Sequence, residues 1–220
     1  MLRRILLGAA MGIALAVPAI AQGLPDRPIT LISGFAPGGS TDITARLLAE
    51  RMQAHMGGNA RVVVENRPGA SGTVAAEWLR RQPADGTVLM LNEASSHALI
   101  PAAMQGGTRY DPIADFTHIA IAANGPLILV AAPNFPAANA AEAVAKLRAG
   151  PQDNLPYASS GVGSMPHFAG EAIAVSLLLG GKFAHVPYRS GGLMVESIAR
   201  GETATASAAK CGMDPTPDDA

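Results

Sequence analysis

Between Pro28 and Gly201 the chain alternates short β-rich runs with amphipathic helical patterns, and that alternation restricts it to an α/β architecture with a largely parallel sheet. Residues 29–35 read as a first strand. After the loop APGGST, the apolar residues Ile43, Leu47, Leu48, Met52 and Met56 recur at helical spacing until Gly57, Gly58 and Asn59 end the helix. Residues 62–64 form a second expected strand, 73–81 a second helix with Trp78 and Leu79 inward, and 87–91 a third strand, giving a βαβαβ unit. Residues 116–132 read as two strands broken at Asn124, Gly125 and Pro126, where the chain is expected to cross into a second lobe. A helix over 138–149, a strand over 157–159, a helix after Gly163, a strand over 183–186 and a helix over 193–199 follow. From Glu202 to Ala220 no apolar period remains, and this stretch is expected to be disordered.

Residues 1–21 have the order of a secretory leader: Arg3 and Arg4, an apolar run from Ile5 to Val17, and the small-x-small site Ala19-Ile20-Ala21. The run is shorter than the roughly 20 residues a spanning helix requires, so cleavage is expected after Ala21 with Gln22 as the new N-terminus. No cysteine stands directly after that site to accept a lipid. The 49% hydrophobic content therefore belongs to a folded core. A net charge of −1 with scattered basic residues excludes the clustered basic footprint that nucleic-acid binding requires. The single cysteine, Cys211, has no partner for an internal disulfide.

Two segments carry chemistry. FAPGGSTD, Phe35 to Asp42, joins a strand to the helix it starts. A helix N-terminus presents unpaired backbone N–H groups and about half a positive charge, so it receives a carboxylate or phosphate without Lys or Arg. Gly38 and Gly39 admit close backbone approach, Ser40 or Thr41 can cap the helix, and Asp42 can take first-turn N–H groups or brace the loop. The pattern is neither the G-x-x-x-x-G-K-[ST] nor the G-x-G-x-x-G loop, which weighs against nucleotides. The second segment, YASSGVGSMPHFAGE from Tyr157 to Glu171, repeats the strand, glycine loop and helix start. Ser159, Ser160 and Ser164 offer hydroxyls there, and His167 lies in the helix's first turn, where a lone histidine is more often structural. Two such N-termini on opposite walls of a cleft suit a ligand with more than one anionic or polar end.

FAPGGSTD, VVVENRPGASG, ADGTVLML with SSHALIP, YDPIADF, YASSGVGSMPHFAGE and HVPYRSGG follow, in order, the motifs of tripartite tricarboxylate transporter (Bug) binding proteins, which the chain resembles from Pro28 to about Gly201. The resemblance implies a two-lobe, type II periplasmic binding protein (Venus-flytrap) α/β fold. It implies periplasmic capture of a small carboxylate and delivery to the membrane subunits of a tripartite transporter, with no cofactor. Carried onto this sequence, the first ligand loop is Phe35, Ala36, Pro37, Gly38, Gly39 and Ser40 with Asp42 as loop brace. The second is Ser159, Ser160, Gly161, Gly163 and Ser164 with His167. Ser95 and Ser96 belong to a third, although Asn92-Glu93-Ala94 departs from the small-residue run usual there. Glu65, Asn66, Arg67 and Pro68 look like a turn that fixes the lobe, while Tyr188 and Arg189 look like lobe or surface residues, a substrate carboxylate being the other partner open to Arg189. The resemblance implies lobe 1 over 22–123 and a partial lobe 2 over 124–201. Both the second lobe and the family's return to the first read as incomplete, with 202–220 an atypical tail and binding competence reduced.

Two other classes share some of these features. A ligand sensor for a membrane receptor would use the same cleft. An exported hydrolase would need a G-x-S-x-G elbow, and neither Gly163-Ser164-Met165-Pro166 nor Gly69-Ala70-Ser71-Gly72 supplies one. No H-E-x-x-H or clustered His/Cys spacing suggests zinc, so the reading is non-enzymatic and metal-free.

Overall fold

The computed structural model describes residues 27–57, 60–149, 155–179 and 183–209. The expected leader and residues 210–220, including Cys211, lie outside these.

The first sheet has three parallel strands in the order β2 (Val62–Asn66), β1 (Ile29–Ser33), β3 (Val88–Leu91). Being central, β1 is covered on both faces and reads as a nearly continuous apolar run. Helix α1 (Ser40–Met56) packs on it through Ala45 and Ala49, which with Ile29, Leu31 and Val62 form one buried cluster flanked by Leu48, Met52 and Met56. The inner stripe of α1 thus holds small alanines that let the helix approach the sheet. Ile43, expected on the apolar face, is 46% exposed. The helix ends at Gly57, whose φ of 67° lies in the left-handed region that glycine enters without cost to a side chain. A 3₁₀ turn over Ala70–Gly72 leads into α2 (Thr73–Leu79), and a π turn over Ser95–Leu99 follows β3 and continues into α3 (Ile100–Ala103).

The second sheet has the order β4 (Leu127–Ala131), β7 (Thr205–Ala209), β5 (Leu155–Ser159), β6 (Phe183–Pro187), with β4 antiparallel to β7 and the others parallel. Helices α4 (Ala140–Ala149), α5 (Met165–Ser176) and α6 (Gly191–Ala199) join its strands. Ala132, Ala158, Met194 and Ile198 form its core, with Val130 and Tyr188 packed against them.

Two expectations are corrected here. Residues 116–132 yield one strand, not two. Residues 117–126 run without regular structure, and Ile119 and Ile121 are largely exposed, because a strand persists only where another strand satisfies its backbone. Conversely, Thr205–Ala209, expected to be disordered, is an interior strand. Its TASAA sequence has no apolar period, yet both edges are paired, by β4 and β5, and α5 and α6 pack against it. The backbone hydrogen bonds of an inserted strand do not require large side chains.

Gly170, inside α5, shows how tightly this lobe is packed. A Cβ there would lie 2.3 Å from Cε2 of the fully buried Tyr157 ring. Gly170→Ala is therefore expected to destabilise the protein by about 1–3 kcal/mol through overpacking, although alanine is intrinsically about 1 kcal/mol better in a helix. A denaturation midpoint equal to or above the parent's would contradict this contact.

Candidate binding cleft

The two sheets face each other through their loops. On one side, Gly38 and Gly39 at the start of α1 meet Ser190, Gly191 and Gly192 at the start of α6. A Cβ on Gly192 would fall 2.5 Å from Gly38 O, and one on Gly39 would fall 3.3 Å from Gly191 N. Ala36 N–H donates to Arg189 O at 3.2 Å beside them. On the other side, Ser71 Oγ donates to Val162 O at 2.7 Å, and Met165 N–H donates to Ser95 Oγ at 3.1 Å. Cβ atoms on Gly161 and Gly163 would each come within 2.9 Å, of Ser71 Oγ and Ile100 respectively. Ala70 and Ser71 both take positive φ, 43° and 51°, a conformation unfavourable for residues with a Cβ, and Ser71 is held there by its bond across the lobes.

The N-terminus of α1 is built differently from the other two. Its N-cap is Gly39, with no side-chain cap, so neither Ser40 nor Thr41 plays the capping role the sequence offered them. Asp42 braces the loop. Buried to 3% exposure, its carboxylate accepts Gly38 N–H at 3.0 Å, Asn66 Nδ2–H at 2.8 Å and two bonds from Arg46 at 3.0 Å. Asn66 also donates to Phe35 O at 3.0 Å, tying β2 to the loop. Burial pushes the Asp42 carboxyl up, but the Arg46, Gly38 and Asn66 hydrogen bonds and the Arg46 charge outweigh it and hold the group below the usual carboxylate range. Arg67 lies over the Trp78 ring at 3.8 Å, so this turn fixes the lobe as its sequence suggested.

Helices α5 and α6 are capped by serine. Ser164 Oγ accepts His167 N–H and Ser190 Oγ accepts Leu193 N–H, both at 3.4 Å. His167 does not face the cleft: its Nδ1 accepts Gly163 N–H at 3.0 Å, and its ring stacks on His185 at 4.0 Å. Ser159, fully buried, shares a 2.6 Å bond with His185 Nε2 and accepts Gly161 N–H at 3.1 Å. Ser159, Ser164 and His167 therefore shape the second glycine loop from within, because the two hydroxyls and His167 Nδ1 already have internal partners. Ser95 and Ser96 are buried likewise, Ser95 accepting Met165 N–H and Ser96 Oγ lying 2.9 Å from His97 Nδ1.

A groove of about 1490 Å³ runs between the lobes. Of the residues expected at the site, Phe35, Gly38, Gly39, Ser40 and Ser160 line it. Ala36, Pro37, Asp42, Ser95, Ser96, Ser159, Gly161, Gly163, Ser164 and His167 stand behind it or beside it. Gly191 and Gly192 also line it. They were missed in the sequence, although Ser190-Gly191-Gly192 before an apolar helical run is the same cap-and-glycine signal as Gly38-Gly39-Ser40. The groove exceeds the roughly 300–1,000 Å³ of ordinary small-molecule pockets because it continues along β3, whose outer edge has no strand partner among the described residues. Among the described residues Arg80 is the only Lys or Arg lining it, and Arg80 pairs with Asp115 at 3.4 Å. Among the described residues no cluster of side chains is arranged to hold a metal ion.

Comparison with known proteins agrees with this architecture. The chain is 30% identical over 190 residues to protein BugT of Bordetella pertussis, a match covering 86% of this chain and 57% of the relative. It is 33% identical over 195 residues to a protein encoded in the gbd 5′ region of Cupriavidus necator, again covering 57% of the relative. Among solved structures, a Rhodopseudomonas palustris protein with adipate superposes with a TM-score of 0.77 at 30% identity, and MatC of that organism with bound malate at 0.74 and 28%. Each superposition covers 84% of this chain, and 60% and 61% of the respective neighbours. The chain thus spans somewhat more than half the length of the relatives it matches, and its fold is that of the periplasmic binding proteins. Residues 44–215 match the model of the tripartite tricarboxylate transporter family receptor, and the chain belongs to that family.

Proposed function

We propose that this protein captures a small carboxylate in the periplasm for the membrane subunits of a tripartite tricarboxylate transporter. The observation that carries the reading is the meeting of two helix N-termini, α1 at Gly38-Gly39 and α6 at Gly191-Gly192, side by side on the wall of a groove that no unpaired Lys or Arg lines among the described residues. Backbone N–H groups at both would receive carboxylate oxygens, each helix end contributing about half a positive charge. Adipate and malate in two structural neighbours support the ligand class. In this reading Phe35, Gly38, Gly39, Ser40, Ser160, Gly191 and Gly192 meet the ligand, Asp42 and His167 shape the loops, and the lobes divide near residues 123 and 124. The second lobe extends through β7. Residues 1–21 act as a cleaved leader.

Titration calorimetry against mono-, di- and tricarboxylates is expected to give saturable heat for at least one acid. Binding of neutral sugars alone would remove the carboxylate reading. Mass spectrometry of the periplasmic fraction is expected to find Gln22 at the N-terminus, and a product beginning at Met1 would overturn export.

A further inference from the structure

Glu93 is an acidic residue in a cleft otherwise suited to anions. It follows β3 immediately and lines the same groove as Gly38, Gly39, Gly191 and Gly192. The Ser95 hydroxyl accepts Met165 N–H at 3.1 Å at the start of α5, and Ser96 Oγ donates to Glu93 O at 3.3 Å, so the turn that carries Glu93 is held against the second lobe. Glu93 makes no ion pair among the described residues, and Arg80, the one lining residue that carries a fixed positive charge, is held by Asp115. His97, also in the groove, is pushed down to about 4 by burial and by His118, so it is neutral near pH 7 and supplies no countercharge. Burial pushes the Glu93 carboxyl up to about 7, with the Ser95 hydroxyl acting against it.

An ionised carboxylate without a cation in a poorly hydrated site is unfavourable, and a second anion brought beside it is more so. A symmetric dicarboxylate that anchored one end at the α1 and α6 N-termini would meet like charge at Glu93 and bind only with uptake of a proton. A ligand whose far end is an ammonium group would supply the missing countercharge and gain a charge-assisted hydrogen bond. Discrimination then arises from both the attraction and the repulsion.

We propose that Glu93 is a specificity-determining residue that selects small carboxylic acids bearing an ammonium group at the end away from the anchored carboxylate. The proposal rests on the carboxylate-capture reading above. It is tested by calorimetry with isosteric pairs, β-alanine against succinate and γ-aminobutyrate against glutarate, on the parent protein and on Glu93→Gln and Glu93→Ala, each checked by a thermal melt. The parent is expected to bind the amino acid of at least one pair roughly tenfold or more tightly than its diacid, and both variants are expected to lose or reverse that ratio by about the same factor. A parent that binds the diacids as tightly as the amino acids overturns the proposal and leaves carboxylate capture standing, as does an amino-acid preference that survives in a folded variant. Failure of every probe, and of every other organic acid, to bind the parent overturns the capture reading and the proposal with it.

Discussion

Gly192→Ala is expected to weaken carboxylate binding by about 100-fold, close to 3 kcal/mol, while leaving thermal unfolding unchanged or slightly higher. The added Cβ would lie 2.5 Å from Gly38 O and 3.0 Å from Gly38 C. Both atoms are backbone, so no side chain can swing aside, and the strain is relieved only by moving the lobes apart. That separation withdraws the α6 N-terminus from the ligand and leaves α1 to bind it alone. Inside its own lobe the substitution is harmless, since residue 192 lies in the first turn of a helix and alanine is favoured there over glycine by about 1 kcal/mol. Loss of affinity without loss of stability is thus the signature of a closure defect. Unchanged affinity would mean that the two glycine turns do not approach each other around the ligand. Gly39→Ala should act in the same direction more weakly, its Cβ meeting Gly191 N at 3.3 Å.

Asp42→Ala is expected to damage binding and stability together. It removes the acceptor for Gly38 N–H, Asn66 and Arg46 at once, and with it the geometry of the α1 N-terminus. Hydrogen bonds to a charged group contribute about 1.5–3 kcal/mol each but do not add fully. Arg46 remains able to reach water, with 54% of its side chain exposed. A loss of about 3 kcal/mol is therefore expected, read as a lower urea midpoint. The pH dependence has a definite sign. The folded carboxyl lies below its ordinary value of 3.8, so the stabilisation is complete above that value and disappears as pH falls through the lower folded one. The stability gap between parent and Asp42→Ala should accordingly be constant near neutrality and narrow only in acid below the ordinary carboxylate value. A gap that narrowed as pH rose toward neutrality would contradict this assignment.

Local pattern and chemistry made much of this molecule legible. The β1 run, the Gly38-Gly39 turn and the α1 period are consecutive in the chain, and a buried parallel strand followed by a glycine turn and an amphipathic helix has few folded forms. The same holds from β5 through α5. Ile43 was misplaced because a large apolar residue outranks alanine in any hydrophobic pattern, whereas close helix-to-sheet packing selects the smaller Ala45 and Ala49. Strand β7 escaped notice because TASAA is paired on both edges by strands distant in sequence. Residues 116–123 were misread for the opposite reason, having strand-like composition without a strand beside them.

The sequence by itself determined the α/β class, the helix that starts at the FAPGGSTD loop and the family resemblance, because each depends on residues close together in the chain. Only the tertiary structure decided which polar groups face the groove. Ser159 and His167 are drawn inward by His185 and the backbone N–H groups of Gly161 and Gly163, and Ser164 by the backbone N–H of His167. Gly191 and Gly192 are brought opposite Gly38 across about 150 residues of intervening chain. The physical reason is that a hydrogen bond or a steric contact depends on distance in space, which sequence spacing conveys only within a single element or turn.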